Sequence, residues 1–441
     1  MKPTLNKQIA RLLTFVSIIA TVNSARAQNA KEIEQSKIYF NQLDSICKHD
    51  NGKLWGVSLC GPTMLVIPNS RIIIANQKDN SNELKEKDGV FIGKLLENIN
   101  ISNTSFNWNG ADWTMVSWDA IPENDQYSRN KLLVHESWHR VQNEIGIPSV
   151  LSSNAHLDKL QGSILLKLEF TILKHAHVTT EKSNKITSLN DALTVRQYRQ
   201  LIFPNNNENQ FERHEGMAEY TGFKLCGLSN EILRKVMVKQ LNATTNKEGF
   251  TNSFAYISGP AYGILFDELT NDWLPIIKAG KSLPELGITI TKNQLPVDTA
   301  ILNASVKKII DKYNAEQLVK SETEKFKLQN KLIEEYRNKF LKGNQLIIPN
   351  NNVNFSYNPQ EPLVPIDDIG VIYKTMRLVG DWGILEVTNG ILRTNDWKAF
   401  IIEVPKTNRT GTIVEASYKI EIKRGWSIVQ IKEGKFTFRK D

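Results

Sequence analysis

The segment Lys131–Gly146 constrains this chain more than any other, because it joins a helical pattern to a pair of histidines. It contains His135 and His139 in an H-E-x-x-H arrangement, with Glu136 between them. Residues four apart lie on one face of a helix, about one turn apart. The two imidazoles can therefore point at one metal ion, and Glu136 can activate a metal-bound water. The alternative is that both histidines simply pack in the core.

The helical prediction for this segment rests on its apolar periodicity and its ends. Ser128 is positioned to cap the start, and Gly146 followed by Pro148 predicts the end. The face predicted to be buried consists of Leu133, Trp138, Val141 and Ile145.

A catalytic zinc needs three protein ligands and an open position. The later segment Phe211–Gly222 also reads as a helix, and its Glu215 and Glu219 are four apart on one face. One carboxylate can bind the metal, while the other accepts the outer N–H of a ligating histidine and sets its tautomer. His214 is a third candidate, although its side chain points about 100° away from that of Glu215 on a helix. The alternative for this segment is a solvated acidic face.

Together, H-E-x-x-H and the later E-G-x-A-E-Y resemble the gluzincins, metallopeptidases whose third zinc ligand is a glutamate on a later helix. The resemblance implies a secreted zinc metallopeptidase that acts on a peptide or protein substrate. It implies His135, His139 and Glu215 as Zn²⁺ ligands, Glu136 as general base, and Glu219 as the carboxylate behind a histidine ligand. The 75 residues between His139 and Glu215 exceed the spacing of the best-known members, so Glu219 and the neighbouring histidine stay open as the third ligand.

Peptide hydrolysis also needs a hydrogen-bond donor for the negative charge that develops on the carbonyl oxygen. Gluzincins commonly take this donor from a tyrosine or histidine of a later helix. The apolar segment Ser253–Leu269 supplies Tyr262 as the first choice and Tyr256 as the second, against the alternative of packed tyrosines. Small residues in the same segment predict close approach of a neighbouring helix: Gly259, Ala261 and Gly263.

Two hairpin patterns precede the metal-binding helix. Apolar runs at 62–67 and 71–75 flank a Pro-Asn-Ser turn, and runs at 105–108 and 112–118 flank Asn109-Gly110. They predict a small, largely antiparallel sheet. In gluzincins an edge strand lies over the active-site helix and pairs with an extended substrate. We predict that Trp113–Trp118 is this strand, the alternative being that its tryptophans only pack.

Residues 1–27 have the pattern of a secretory signal: a basic start, a short apolar run at Leu12–Val22 and an Ala25-Arg-Ala27 cleavage signature. The run is too short to span a membrane, and no later stretch has the 18 apolar residues of a spanning helix. We therefore predict an exported protein, periplasmic or extracellular, without a membrane span.

Charge and cysteine content exclude other classes. The formal net charge is +8, and half of it lies in the predicted signal. No basic run is interleaved with aromatic residues, so nucleic acid is not a predicted partner. Three cysteines are too few for a disulfide scaffold. Cys47 and Cys60 are close enough in sequence to pair, but the pattern does not favour a disulfide.

The fold class predicted from this order is α+β. Its parts are an N-terminal helix and antiparallel sheet at 28–126, a helical zinc-binding catalytic region at 127–300, a long charged helical segment at 301–343 and a β-rich domain at 344–441. Inside the catalytic region, a polar loop is predicted at 178–189.

Two other functions remain open at this level. The chain can be a non-catalytic exported binding protein that keeps a zincin fold. It can also be a specialised amidase that acts on cell-wall peptides. A general base has no purpose in a structural zinc site, so Glu136 argues against the binding protein.

Overall fold

The computed structural model describes residues 30–357, 363–366, 368–406 and 408–441, so the predicted signal at 1–27 lies outside the described residues. The chain divides into two compact units, with the boundary between Val319 and Lys320. A small sheet, a mainly helical middle and a β-rich end follow one another along the sequence, which confirms the α+β class.

The first unit begins with a helix at 30–50 (α1), followed by a six-stranded sheet. The strands are β1 Thr63–Ile67, β2 Ile72–Ala75, β3 Lys85–Lys87, β4 Val90–Lys94, β5 Thr104–Trp108 and β6 Ala111–Ser117. Their spatial order is β3-β4-β2-β1-β6-β5. Every neighbouring pair is antiparallel except β1 and β6. The prediction of a largely antiparallel sheet therefore agrees with the structure.

The strand predicted to pair with substrate, Trp113–Trp118, is not at the edge of the sheet. β6, which corresponds to Trp113–Trp118, has hydrogen-bonded neighbours on both sides, β1 and β5. The edge strand next to β6 is β5, and the tight turn at Asn109 and Gly110 joins the two with positive φ at both residues. Hairpins are visible in sequence, but the position of a hairpin in the sheet depends on the parallel pairing of β1 with β6, which is non-local.

Eleven further helices follow among the described residues. They are α2 Gln126–Ile145, α3 Leu160–Val178, α4 Lys182–Ile202, α5 Glu208–Phe211, α6 Met217–Leu225, α7 Asn230–Ala243, α8 Ala255–Leu269, α9 Leu274–Lys278, α10 Leu283–Thr291, α11 Thr299–Lys312 and α12 Glu316–Arg337. The predicted polar loop at 178–189 is wrong, because α4 begins at Lys182. The first turns of α4 are polar in sequence, but they bury Lys185 and Leu189. Packing against neighbouring elements therefore stabilises a helix that the weak apolar periodicity of this segment does not indicate.

Helix α2 is held at both ends by local signals. Asp125, not Ser128, caps the start: its carboxylate accepts from the backbone N–H of Tyr127 and Ser128. Gly146 ends the helix in the left-handed conformation with φ of 88°, as predicted. The predicted apolar face is buried, and α2 packs against β5 and β6 as well as α6. The helix therefore presents its histidines between the sheet and α6.

A widened turn joins α5 to α6. Residues Glu212–Gly216 form a π-helical turn rather than continuing the α-helix. Gly216 lies against Gly259 of α8, where a Cβ on Gly259 would come within 2.3 Å of the Gly216 Cα. A side chain at either glycine would separate the two elements. The close approach predicted for the small residues of α8 is therefore to this turn.

Two buried arginines hold α4 against α3 and the widened turn. Arg196 bonds Glu212 through both terminal nitrogens, at 2.6 and 2.9 Å, and its Nε donates to Glu169 at 2.8 Å. Arg199 pairs with Glu169 at 2.7 Å and with Glu208 at 2.6 Å. None of these five side chains is more than 1% exposed. Such charges are tolerated in a core because each one is paired.

Cys47 and Cys60 form a disulfide, with their Cα atoms 5.4 Å apart. The bond ties the end of α1 to the segment that enters β1. The sequence pattern did not favour this pair, because a spacing of 13 residues carries no information on how the two segments approach. Cys226 is a free, buried thiol.

The second unit consists mainly of two sheets in which most neighbouring strands are antiparallel. The strands are β7 Gln345–Pro349, β8 Asn354–Ser356, β9 Val364–Ile366, β10 Gly370–Tyr373, β11 Met376–Gly380, β12 Gly383–Val387, β13 Ile391–Thr394, β14 Ala399–Glu403, β15 Thr412–Glu415, β16 Tyr418–Ile422, β17 Trp426–Lys432 and β18 Lys435–Lys440. They form a seven-stranded sheet, β17-β18-β7-β14-β13-β10-β9, and a five-stranded sheet, β15-β16-β12-β11-β8. Phe340 packs on the larger sheet, so this unit starts earlier than the predicted β-rich domain at 344.

Across the described parts of the chain, none of the helices combines the length and the apolar character needed to cross a bilayer.

We expect the burial of His177, near the end of α3, to make stability depend on pH. Burial lowers the pKa of His177 to about 4, although its Nε2 donates to the Ala261 carbonyl at 2.9 Å. An unfolded histidine titrates near 6.5. Between these values the unfolded chain binds a proton that the folded chain excludes, so the free energy of unfolding decreases as the pH falls from 6.5 toward 4. Between pH 6.5 and 4, we expect the free energy of unfolding of His177→Gln to decrease by about 3 kcal/mol less than that of the wild type.

Urea denaturation at pH 7, 5.5 and 4.5 measures this effect. The matched control is His49→Gln, because His49 is exposed. An unchanged pH slope in His177→Gln would contradict the assignment of His177 as a neutral buried group.

Candidate metal centre

Two turns of α2 place the imidazoles of His135 and His139 side by side. Their Nε2 atoms are 3.1 Å apart, and His135 is only 4% exposed. The four-residue spacing on one helix is the cause of this proximity. Two ring nitrogens that face each other at this distance cannot both carry a proton, so the pair is suited to sharing one cation.

Glu215 approaches the same point from the widened turn. Its Oε2 is 3.6 Å from Nε2 of His135 and 3.4 Å from Nε2 of His139. These distances are too long for good hydrogen bonds, and this buried oxygen has no hydrogen-bond partner in the structure. All three ligand atoms lie within 4.8 Å of one another. An unpartnered buried carboxylate oxygen facing two ring nitrogens fits a bound Zn²⁺, for which two histidines and a glutamate are a common donor set.

The outer nitrogens of both rings are held by acceptors. Nδ1 of His135 bonds Glu219 Oε2 at 2.8 Å, and Nδ1 of His139 bonds Gln142 Oε1 at 2.7 Å. With the proton on Nδ1, each Nε2 presents a lone pair to the centre. Glu219 also pairs with Lys131. Glu215 thus faces the two Nε2 atoms, whereas Glu219 lies on the outer side of His135.

Gln142 contacts the candidate centre, and the sequence interpretation missed it. It lies three residues after His139 on the same helix, and it is only 4% exposed. A signal was available, since residues three apart on a helix are neighbours and a buried amide needs a partner.

The carboxylates around the histidines favour positive charge. Burial opposes protonation of His135, but the neighbouring carboxylates of Glu215 and Glu219 raise its pKa to about 9. Burial likewise opposes ionisation of Glu215, yet the two histidines hold its pKa well below the ordinary value. Both shifts have the direction expected of a site built for a cation.

Glu136 follows His135 in the chain and borders the same cleft. It is 6% exposed, and burial raises its pKa against the lowering effect of both neighbouring histidines. A carboxylate whose pKa is raised holds a proton more readily than an ordinary one, and a general base that later acts as an acid must both accept and return a proton.

The cleft beside the centre has a volume of about 340 Å³ and is bounded mainly by polar side chains. The edge strand β5 forms one wall, through Thr104 to Asn107. Its unpaired backbone edge therefore faces the same cleft as the histidines. The sequence interpretation expected this edge position for Trp113–Trp118, which lies one strand further into the sheet.

Tyr256, not Tyr262, is the tyrosine at this centre. The Tyr256 ring stacks on His135 with centroids 5.6 Å apart, and it borders the cleft. Burial and the neighbouring Glu215 carboxylate raise the pKa of its hydroxyl, which therefore stays a proton donor. Tyr262 is wholly buried elsewhere, and its hydroxyl donates to Glu169 at 2.7 Å in the arginine network. The first choice made from sequence is thus in the wrong place.

His214 lies beside the centre without joining it. Its ring is 5.0 Å from that of His139, but its nitrogens contact Ser149 Oγ at 3.3 Å and the Val150 carbonyl at 3.1 Å. Glu215 is therefore better placed than His214 as a third ligand, as its helical position suggested.

Comparison with known proteins identified no relative of this chain. No family model, no curated protein and no solved structure matches the chain.

Proposed function

We propose that this protein is a zinc-dependent peptidase with a gluzincin-like site. The observation that carries the proposal is the convergence of two Nε2 atoms and an unpartnered Glu215 oxygen beside Glu136 in an open cleft. A purely structural zinc site usually has four protein ligands and no cleft. Three candidate ligands with a buried carboxylate next to them support catalysis instead.

His135, His139 and Glu215 would hold the zinc. When bound, zinc acts as a Lewis acid that polarises a carbonyl and lowers the pKa of water to about 7. Glu219 and Gln142 keep the protons on Nδ1 and so leave both Nε2 atoms available.

Glu136 accepts a proton from the attacking water and passes it to the leaving amine. The Tyr256 hydroxyl donates to the substrate carbonyl oxygen as negative charge develops there. The backbone edge of β5 pairs with an extended peptide and so aligns it along the cleft. These roles describe peptide-bond hydrolysis.

We also propose that the protein acts after export. The pattern at 1–27 is that of a secretory signal, and the Cys47–Cys60 disulfide is of a kind that forms and persists in oxidising compartments.

The first test is zinc content by elemental mass spectrometry. We expect about one zinc per chain in the wild type. His135→Ala and Glu215→Ala should lose it, because two ligands hold zinc too weakly to survive purification. Glu219→Ala should retain zinc with affinity lowered about 10–100-fold, since Glu219 only orients a ligand. The matched control is the exposed His49→Ala, which should keep its zinc.

Digestion of an unfolded protein mixture, with and without a chelator, then tests hydrolysis. A wild type without zinc, even after zinc is supplied, would contradict the metal site. A Glu215→Ala protein that keeps full zinc would contradict the ligand set. A zinc-loaded protein that cleaves no peptide would exclude a general peptidase.

A further inference from the structure

Arg140 follows His139 on α2, and its guanidinium is built into the wall of the cleft. Its Nη2 donates to the backbone carbonyls of Leu59 and Cys60, each at 3.0 Å. The absence of a side chain at Gly61 makes room for it, since a Cβ there would lie 2.2 Å from the Arg140 Cζ. The guanidinium is therefore held in place by backbone rather than by a charge.

The positive charge of Arg140 has no anionic partner in contact with it. In the part of the chain that the structure describes, no carboxylate oxygen lies within 4.0 Å of the guanidinium. Asp112 and Glu144 act on it only through longer-range electrostatics. Its Nε is buried and has no acceptor.

The buried arginines of the core are different. Arg196 and Arg199 each contact two carboxylates, at distances of 2.6 to 2.7 Å. Burying a guanidinium without an anion is costly, because it loses water and gains no opposite charge. An anion that arrives from outside would offset this cost at Arg140.

The surroundings of Arg140 favour an anion over a cation. Asn107 and Asn143 border the same cleft. The Asp112 carboxylate borders the cleft as well, where it accepts from the Asn107 amide at 3.0 Å, but it does not contact the guanidinium. Because Nη2 is held by two carbonyls and Nε is buried, Nη1 is the Arg140 nitrogen left for a ligand in the cleft.

We infer that Arg140 determines specificity by binding a carboxylate of the substrate. The inference rests on the proposed function and adds a substrate class, namely peptides that bring a carboxylate into the cleft beside the scissile bond. Arginine suits this role because it stays charged when partly buried and keeps further N–H donors while Nη2 is held by the two carbonyls. The carboxylate can belong to an aspartate or glutamate side chain or to the C-terminus of the peptide.

The test measures binding to the zinc-supplied Glu136→Gln protein by calorimetry. Three forms of one neutral peptide are compared: a C-terminal amide, a free C-terminal acid, and an amide in which one glutamine at a time is replaced by glutamate. We expect one acidic form to bind about 10–100-fold more tightly than the neutral amide, the range expected of a charge-assisted hydrogen bond. The form that binds best identifies the source of the carboxylate.

Adding Arg140→Gln should remove this preference, because the amide can still donate to a carbonyl but carries no charge. Arg140→Lys should restore part of it. The matched control is Arg129→Gln, on the same helix, because Arg129 is buried and likewise donates to backbone carbonyls, those of Pro122 and Glu123. The control should keep the full preference.

Each outcome decides the inference. Equal binding of all peptides, no binding at all, or a preference that survives Arg140→Gln would overturn the role of Arg140. A preference lost equally in the Arg129 control would show a structural effect and would also overturn it. Preferential binding of an acidic peptide that the wild-type protein does not cleave would support Arg140 and contradict the hydrolase.

Discussion

Glu136→Gln is expected to bind zinc like the wild type and to lose peptidase activity by about 10²–10⁴-fold, the range of general acid–base catalysis. The amide has nearly the same shape as the carboxylate but cannot accept the proton of the attacking water. Glu136 is not a predicted ligand, and the histidines keep their contacts with Glu219 and Gln142. The measurement is kcat/KM on one fluorogenic peptide, together with zinc content of the same preparation.

Tyr256→Phe and Tyr262→Phe provide a matched pair on α8 for this experiment. Tyr256 borders the cleft, whereas Tyr262 donates to Glu169 in the core. We expect Tyr256→Phe to lower kcat and Tyr262→Phe to affect mainly stability. Full activity in Glu136→Gln, after contaminating protease is excluded, would contradict the proposed mechanism.

Arg196→Met should destabilise the first unit by about 3–5 kcal/mol, the range for breaking a buried ion pair. The substitution leaves the carboxylates of Glu169 and Glu212 buried without the guanidinium that now bonds both. Chemical denaturation, followed by tryptophan fluorescence, measures the loss. Because Glu212 belongs to the widened turn, zinc affinity should also decrease.

The control for Arg196 is Lys235→Met. Lys235 pairs with Glu231 at 2.7 Å on the surface, where both side chains are more than 60% exposed. Such pairs contribute about 0–1 kcal/mol. A loss at Arg196 as small as at Lys235 would show that the buried network adds little to stability.

The candidate ligands could be predicted from sequence because each depends on helical spacing. His135 and His139 are one turn apart on a single helix, and Glu215 and Glu219 repeat the same interval. Helical spacing therefore predicts that the two histidines share one helix face and the two glutamates share another. Since imidazole and carboxylate are both zinc ligands, we expected these two faces to meet. The ligand assignment itself stays a prediction.

What could not be predicted depends on packing between distant segments. Tyr256 and Tyr262 both lie on one apolar helix, so the sequence does not tell which face meets α2. The edge position of β5 follows from the pairing of β1 with β6, and the Cys47–Cys60 bond from the approach of α1 to β1. Arg140 resembled any surface arginine until its backbone acceptors were visible.

The widened turn also explains how four glutamates on one stretch serve two separate purposes. In a regular α-helix, Glu208, Glu212, Glu215 and Glu219 would form a single acidic stripe within an arc of about 60°. The extra residue of the π turn rotates the later pair by about 100° relative to the earlier one. Glu208 and Glu212 thus meet the buried arginines, while Glu215 and Glu219 meet the histidines. If the same five residues formed a regular α-turn instead, all four carboxylates would face one neighbour, and either the buried arginines or the histidines would lose their acceptors.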